Sequence, residues 1–142
     1  MLFNRRQRRI QRVLIVEDEP LVAFDNEHLL KEGGYEVVAT VDSVADARAV
    51  IDQEEIDLVL CDIGLSGEGD GTDVARAAAE KNVPVLFVTG SCSAEARRFA
   101  VGCLAKPYSP KALLNAINVV DRCLQGDPPK RPPRELTLYE NA

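Results

Sequence analysis

The stretch Val13-Leu14-Ile15-Val16-Glu17-Asp18-Glu19-Pro20 runs four apolar residues into three consecutive carboxylates. Like charges about 4 Å apart repel by about 4 kcal/mol at an effective dielectric near 20, so such a cluster sits at a solvated turn or around a cation. Asp62, Thr89 and Lys106 come at later points, each at the end of its own short apolar run: "IDLVLC", "VPVLFV" and "VGCLA". Carboxylates, a hydroxyl and a lysine suit phosphoryl transfer to a carboxylate. Asp62 would be the nucleophile, forming an acyl phosphate. Asp18, with Glu17 behind it, would hold Mg2+ (or Mn2+), a hard cation that takes oxygen ligands. The cation would remove the repulsion within Glu17-Asp18-Glu19 and neutralise charge on the transferring group. Lys106 would add a fixed positive charge, and Thr89 a hydroxyl donor to a phosphate oxygen.

These residues meet only if the chain brings four apolar runs side by side. Val13–Val16 reads as a buried strand, Tyr35–Val41 as a second, Ile56–Cys61 as a third, Val85–Val88 as a fourth and Val101–Ala105 as a fifth. Helical patterns lie between them. Leu21 to Glu32 stops at Gly33-Gly34, and Ser43-Val44-Ala45-Asp46 opens the next helix as a capping box. Thr72–Lys81 is alanine-rich, and a short helix is expected near Ala94–Ala100. The last helix has Ser109 as N-cap, Pro110 at its first position and Gly126 just past its end. Strand and helix alternating five times predict an α/β fold with a five-stranded, doubly wound parallel sheet. Ligands bind such sheets beyond the carboxyl ends of the strands, where Glu17, Asp18, Asp62, Thr89 and Lys106 all fall.

The 142 residues support one domain, 13–125, flanked by a basic arm at 1–12 and a Pro-rich tail at 126–142. A net charge of −6, despite an arginine-rich start, leaves the body strongly acidic and argues against a nucleic-acid-binding surface. The arm is expected to be solvated or to extend a helix. The tail, "DPPKRPPRELTLYENA", is expected to be extended and at most loosely docked. No apolar run approaches a membrane span, and no secretory signal is evident. Four cysteines without a C-x-x-C pair, and a single histidine, argue against a structural zinc site and for a reduced, cytoplasmic protein.

The chain from about 13 to 125 resembles the receiver domain of bacterial two-component response regulators. The resemblance rests on Glu17-Asp18, on "LVLCDIGL" around Asp62, on "VPVLFVTG" at Thr89 and on "LAKPYSP" at Lys106. It implies the flavodoxin-like (βα)5 receiver fold and Mg2+-dependent phosphorylation of Asp62 by the phosphohistidine of a histidine kinase or phosphotransfer protein. It also implies that the Gly64 backbone carbonyl completes the metal site. Cys103 stands where most receivers carry the Tyr or Phe that swings inward on phosphorylation. The segment between Thr89 and Lys106 is about one helical turn shorter than the family norm, so the fourth helix should be short or irregular. "PVLFVTGS" is similar in part to the "PFxFATGY" of a stand-alone subgroup associated with stress signalling, with Ser91 in place of its tyrosine.

The leading reading is a single-domain response regulator, not an enzyme beyond its own phosphotransfer and dephosphorylation. Nothing after 126 has the length of an output domain, so output would pass through a protein contact or through draining a kinase as a phosphate sink. A monomer or weak dimer is expected, with no nucleic acid or membrane partner. The alternative is a phosphorylation-independent protein-binding module that keeps the receiver fold. An aspartate-nucleophile phosphatase would need D-x-D, but Asp62 is followed by Ile63-Gly64; a flavin carrier would need stacking loops, and aromatic residues make up only 5%. The glycine-rich "SGEGDGTD", Ser66–Asp73, reads as a flexible connection rather than a dinucleotide loop. His28 reads as a surface helix residue, Asn26 as a polar position on an inner helix stripe, and Cys61 as a small hydrophobe.

Overall fold

The computed structural model describes residues 8–90, 92 and 94–139. Ser91, the residue in place of the subgroup tyrosine, lies outside the described residues, as does most of the arginine-rich arm. The elements in chain order are β1 (Arg12–Val16), α1 (Pro20–Glu32), β2 (Glu36–Val41), α2 (Val44–Gln53), β3 (Leu58–Cys61), α3 (Gly71–Glu80), β4 (Val85–Thr89), a 3₁₀ turn (Glu95–Arg98), β5 (Gly102–Ala105), α4 (Pro110–Leu124) and β6 (Leu136–Leu138). The sheet order is β2-β1-β3-β4-β5-β6. Its first five strands are parallel, as the alternating pattern predicts, and β6 is antiparallel to β5.

The two faces of the sheet explain the apolar runs. Leu14, Val16, Val59, Cys61, Val85 and Phe87 point to the side covered by α2 and α3. Val13, Ile15, Leu58, Leu60, Leu86 and Val88 point to the opposite side, where they meet Leu30 of α1 and Leu113, Ile117 and Val120 of α4. Strands buried on both faces need no polar alternation. This is why β3, β4 and, past Arg12, β1 are continuously apolar up to their last residues.

The helix ends are set largely by local chemistry. Ser43 Oγ accepts from Asp46 N at 3.2 Å, and Ser109 Oγ accepts from Ala112 N at 3.1 Å. A complete capping box sits where the sequence suggested only flexible connection: Asp70 accepts from Thr72 N at 2.8 Å, and Asp73 accepts from Asp70 N at 2.9 Å. The glycine before Thr72 also has a positional reason. A Cβ on Gly71 would lie 2.4 Å from the Asp62 carbonyl oxygen and 2.7 Å from Ile63 Cα, so α3 can start against the Asp62 loop only with glycine there.

The helix expected near Ala94–Ala100 is short and irregular as foreseen, a single 3₁₀ turn over Glu95–Arg98. Two further expectations are corrected. The tail crosses back along the sheet, with Gly102, Cys103 and Leu104 opposite Leu138, Thr137 and Leu136. Leu136 and Tyr139 are 5% and 6% exposed, so this segment is docked, not loose. The end of the basic arm is docked as well, although Arg8 and Arg9 stay exposed. Ile10 is fully buried, and the Asp121 carboxylate on α4 accepts from Arg9 N and Ile10 N at 3.0 and 2.9 Å. Arg8 lies over the Tyr35 ring at 4.3 Å, which uses its charge locally.

Candidate functional site

The site grows out of the ladder at the carboxyl ends of β1 and β3. Glu17 N donates to Val41 O at 2.9 Å and Asp62 N to Val16 O at 3.0 Å, so pairing continues one residue past each strand. This holds both carboxylates at the sheet edge. Glu17 and Asp62 are 3% and 8% exposed, while Asp18 is half-buried. One oxygen from each of Glu17, Asp18 and Asp62 lies within 4.8 Å of the others. Ser66 Oγ donates to Asp18 Oδ2 at 2.8 Å and orients that side chain.

Lys106 reaches the cluster from the far end of β5. Its Nζ lies 2.9 Å from Asp62 Oδ2, 3.1 Å from Glu17 Oε1 and 3.4 Å from Glu19 Oε2. Burial alone would lower the Lys106 pKa, but the hydrogen bonds and charges of Asp62 and Glu17 outweigh it and hold the ammonium well above its ordinary value. Glu17 is displaced upward as well, which for a carboxyl favours the neutral form. Its burial raises the carboxyl above the usual range, and hydrogen bonds from Glu19 N and Lys106 offset this only in part. Lys106 is therefore a permanent cation among carboxylates that the fold has crowded together.

Thr89 closes β4, is 6% exposed, and its carbonyl accepts from Lys106 N at 2.9 Å. The same backbone bond thus sets the two predicted phosphate-binding residues next to each other. Gly64 N donates to Asp62 Oδ1 at 3.3 Å, which places Gly64 in the loop directly over the Asp62 carboxylate. Asp62, Glu17, Asp18, Thr89, Lys106 and Gly64 therefore gather at one edge of the sheet. Cys103 does not. It is fully buried within β5, opposite Phe87 and Thr137, and is joined to Cys92 by a disulfide. The expectation that all four cysteines are reduced fails for this pair.

Sequence reasoning passed over several residues that complete the site. Glu19 reaches Lys106, and Ser66 holds Asp18. Tyr108 accepts at its hydroxyl from Asn26 Nδ2 at 3.0 Å, which accounts for a polar residue 6% exposed on the inner stripe of α1. Only Tyr108 had a visible signal, its place two residues after the lysine. A groove of about 780 Å³ runs beside the acidic edge between α1 and the Lys106–Pro110 loop, lined among others by Val22, Asn26, Leu29 and Tyr108. On the same helix Leu21 and Phe24 are 79% and 69% exposed. His28, exposed and 3.4 Å from Glu32, is the surface residue it was expected to be. Burial, reinforced by the Asp62 and Glu17 charges, drives the Cys61 thiol far up in pKa and leaves it inert.

Residues 13–118 match the response regulator receiver domain family. The chain belongs to that family of signalling modules. It is 33% identical over 115 residues to the transcriptional regulatory protein PdtaR of Mycobacterium tuberculosis, a match that covers 77% of this chain and 56% of that protein. It is 32% identical over 107 residues to the phyllosphere-induced regulator PhyR of Methylorubrum extorquens, covering 69% of this chain and 39% of PhyR. The chain thus spans about half, or less, of the length of these curated relatives. Among solved structures, a CheY-like receiver domain protein from Methanospirillum hungatei superposes with a TM-score of 0.74 at 27% identity, over 82% of this chain and 98% of that one. No helix among the described residues is long and apolar enough to cross a membrane.

Proposed function

We propose that Asp62 accepts a phosphoryl group from the phosphohistidine of a histidine kinase or phosphotransfer protein, and that the acyl phosphate changes which protein this chain binds or how fast it drains its kinase. The observation that carries this reading is the Lys106 ammonium 2.9 Å from one oxygen of Asp62, where Glu17, Asp18 and Asp62 bring oxygens within 4.8 Å of one another. An Asp62 oxygen attacks phosphorus, the phosphorus–nitrogen bond breaks, and the departing imidazole takes up a proton. Lys106 keeps Asp62 oriented and faces the negative charge that spreads over the transferring oxygens. Thr89, on the adjacent strand end, offers its hydroxyl to the same group.

The donor set fits a hard divalent cation, being carboxylate oxygens alone with no thiol or imidazole among them. Glu17, Asp18 and Asp62, with the Gly64 carbonyl, would hold Mg2+. When bound it supplies charge neutralisation for the phosphoryl oxygens and for the crowded carboxylates. The exposed Leu21 and Phe24 on α1, the helix that lines one side of the groove, supply an apolar contact on which a kinase helix can rest.

Phosphate incorporation from a small phosphodonor, with and without Mg2+, tests the reading against the Asp62→Asn variant. Metal-dependent labelling of the wild type that disappears in the variant is expected. A folded wild type that stays unlabelled by both phosphodonor and phosphorylated kinases would refute it and favour the phosphorylation-independent binding module.

A further inference from the structure

The cross-link between Cys92 and Cys103 lies outside the acidic edge and has no part in the phosphoryl chemistry of Asp62. Cys92 is exposed in the connection between β4 and β5, whereas Cys103 is fully buried in the middle of β5. Their Cα atoms are 6.1 Å apart, within the span a disulfide requires. The bond closes a short loop that starts three residues after Thr89 and ends three residues before Lys106. Between Cys92 and the start of β5 the described secondary structure is the single 3₁₀ turn Glu95–Arg98. At its end the connection is anchored to the sheet by Val101, whose N donates to Val85 O at 2.9 Å; ahead of that, its described part is held by packing of Phe99 and Ala100, by guanidinium groups over the Phe99 and Tyr139 rings, and by the covalent bond at Cys92. Neither remaining thiol competes for the pairing. Cys61 is buried in β3, and Cys123 is half-buried on α4, which covers the opposite face of the sheet.

We propose that Cys92 and Cys103 form a thiol–disulfide exchange site that takes low-molecular-weight thiols and their disulfides, and that its reduction releases the connection after Thr89 from β5. The asymmetric burial decides the course of the exchange. A small thiolate attacks the sulfur of Cys92, the partner on the exposed side, in line with the bond, and the electron pair of the sulfur–sulfur bond leaves with Cys103, which takes a proton. A second thiolate attacks the outer sulfur of the mixed disulfide and frees Cys92 as a thiolate, so two electrons pass from two small thiols to the protein. In the reverse direction the Cys92 thiolate attacks a small disulfide. Cys103 then displaces the small thiol from Cys92 and restores the cross-link. Cys103 keeps its buried seat beside Phe87 and Tyr139 in either state, because β4 and β6 pair with β5 on both sides of it.

The full chain is equilibrated under native conditions in reduced or oxidised glutathione, or in dithiothreitol, then quenched, denatured, alkylated and weighed. Two alkyl groups are expected after oxidised glutathione, on Cys61 and Cys123, and four after dithiothreitol, with return to two on reoxidation. The Cys103→Ser variant should carry one glutathione on Cys92, and the Cys92→Ser variant none on Cys103. Trypsin cleavage after Arg97 and Arg98 should be several-fold faster in reduced than in oxidised wild type, with no such difference in Cys92→Ser. Four alkyl groups in every buffer would overturn the site, as would two that persist through native dithiothreitol. Equal cleavage in both states would overturn the release of the connection. Thiol counting reads nothing from Asp62, so this result and the phosphoacceptor result stand or fall separately.

Discussion

Gly102→Ala tests whether β6 is an integral strand of this receiver. A Cβ at Gly102 would stand 2.7 Å from the Thr137 carbonyl oxygen, a backbone atom of β6 that no side-chain rotation can move. Relief requires β6 to shift away from β5, which lengthens the bonds from Ala105 N to Glu135 O at 3.1 Å and from Tyr139 N to Val101 O at 3.0 Å. Overpacking of this kind costs about 1–3 kcal/mol. Full undocking sets the ceiling, because it exposes Leu136 and Tyr139; burying an apolar side chain of that size is worth about 1.5–3 kcal/mol each. Urea unfolding should show a loss of about 1–3 kcal/mol, and amide exchange at Tyr139 should accelerate. Leu136→Ala acts on the same strand, so the double variant should lose less than the sum of the two single losses. A Gly102→Ala protein within about 0.5 kcal/mol of wild type, or strictly additive losses, would refute the docking argument.

The same structure supports other perturbations. Glu17 has a raised carboxyl pKa, so metal-free wild type should lose stability as pH rises from the ordinary glutamate value through the raised one; Glu17→Gln removes that loss and should be the more stable protein at pH 7 in chelator, checked by urea unfolding across pH. Asp121→Ala leaves the buried Ile10 N–H without its acceptor and should cost about 1.5–3 kcal/mol, measured the same way. Gly71→Ala pushes against the Asp62 carbonyl oxygen and Ile63 Cα, so it should slow phosphodonor labelling as well as destabilise by about 1–3 kcal/mol; unchanged labelling would show that the Asp62 loop tolerates the shift.

Most of the core was legible because its causes are local in sequence. Val13–Val16, Leu58–Cys61 and Val85–Thr89 are buried on both faces and so are almost continuously apolar. Ser109-Pro110 marks a helix start through its own backbone chemistry. In a parallel sheet every strand points its carboxyl end the same way, so Glu17, Asp18, Asp62, Thr89 and Lys106 could be assigned to one edge from their places at the strand ends. The capping box Asp70–Asp73 was equally local, but the surrounding glycines obscured it.

Sequence alone thus determined the alternation of strands and helices, the family, and which residues share an edge. Only the tertiary structure decided that Leu136–Leu138 is a sixth strand, that Ile10 is buried against α4, and that Cys92 meets Cys103. Each depends on two segments far apart in the chain, or turned back on each other, coming into register. Leu136-Thr137-Leu138-Tyr139 has the composition of a strand, but the prolines before it and the lack of a nearby partner hide its pairing with β5. The cysteines lack any spacing motif because their proximity comes from the path of the β4–β5 connection, and that path is set by packing rather than by local propensity.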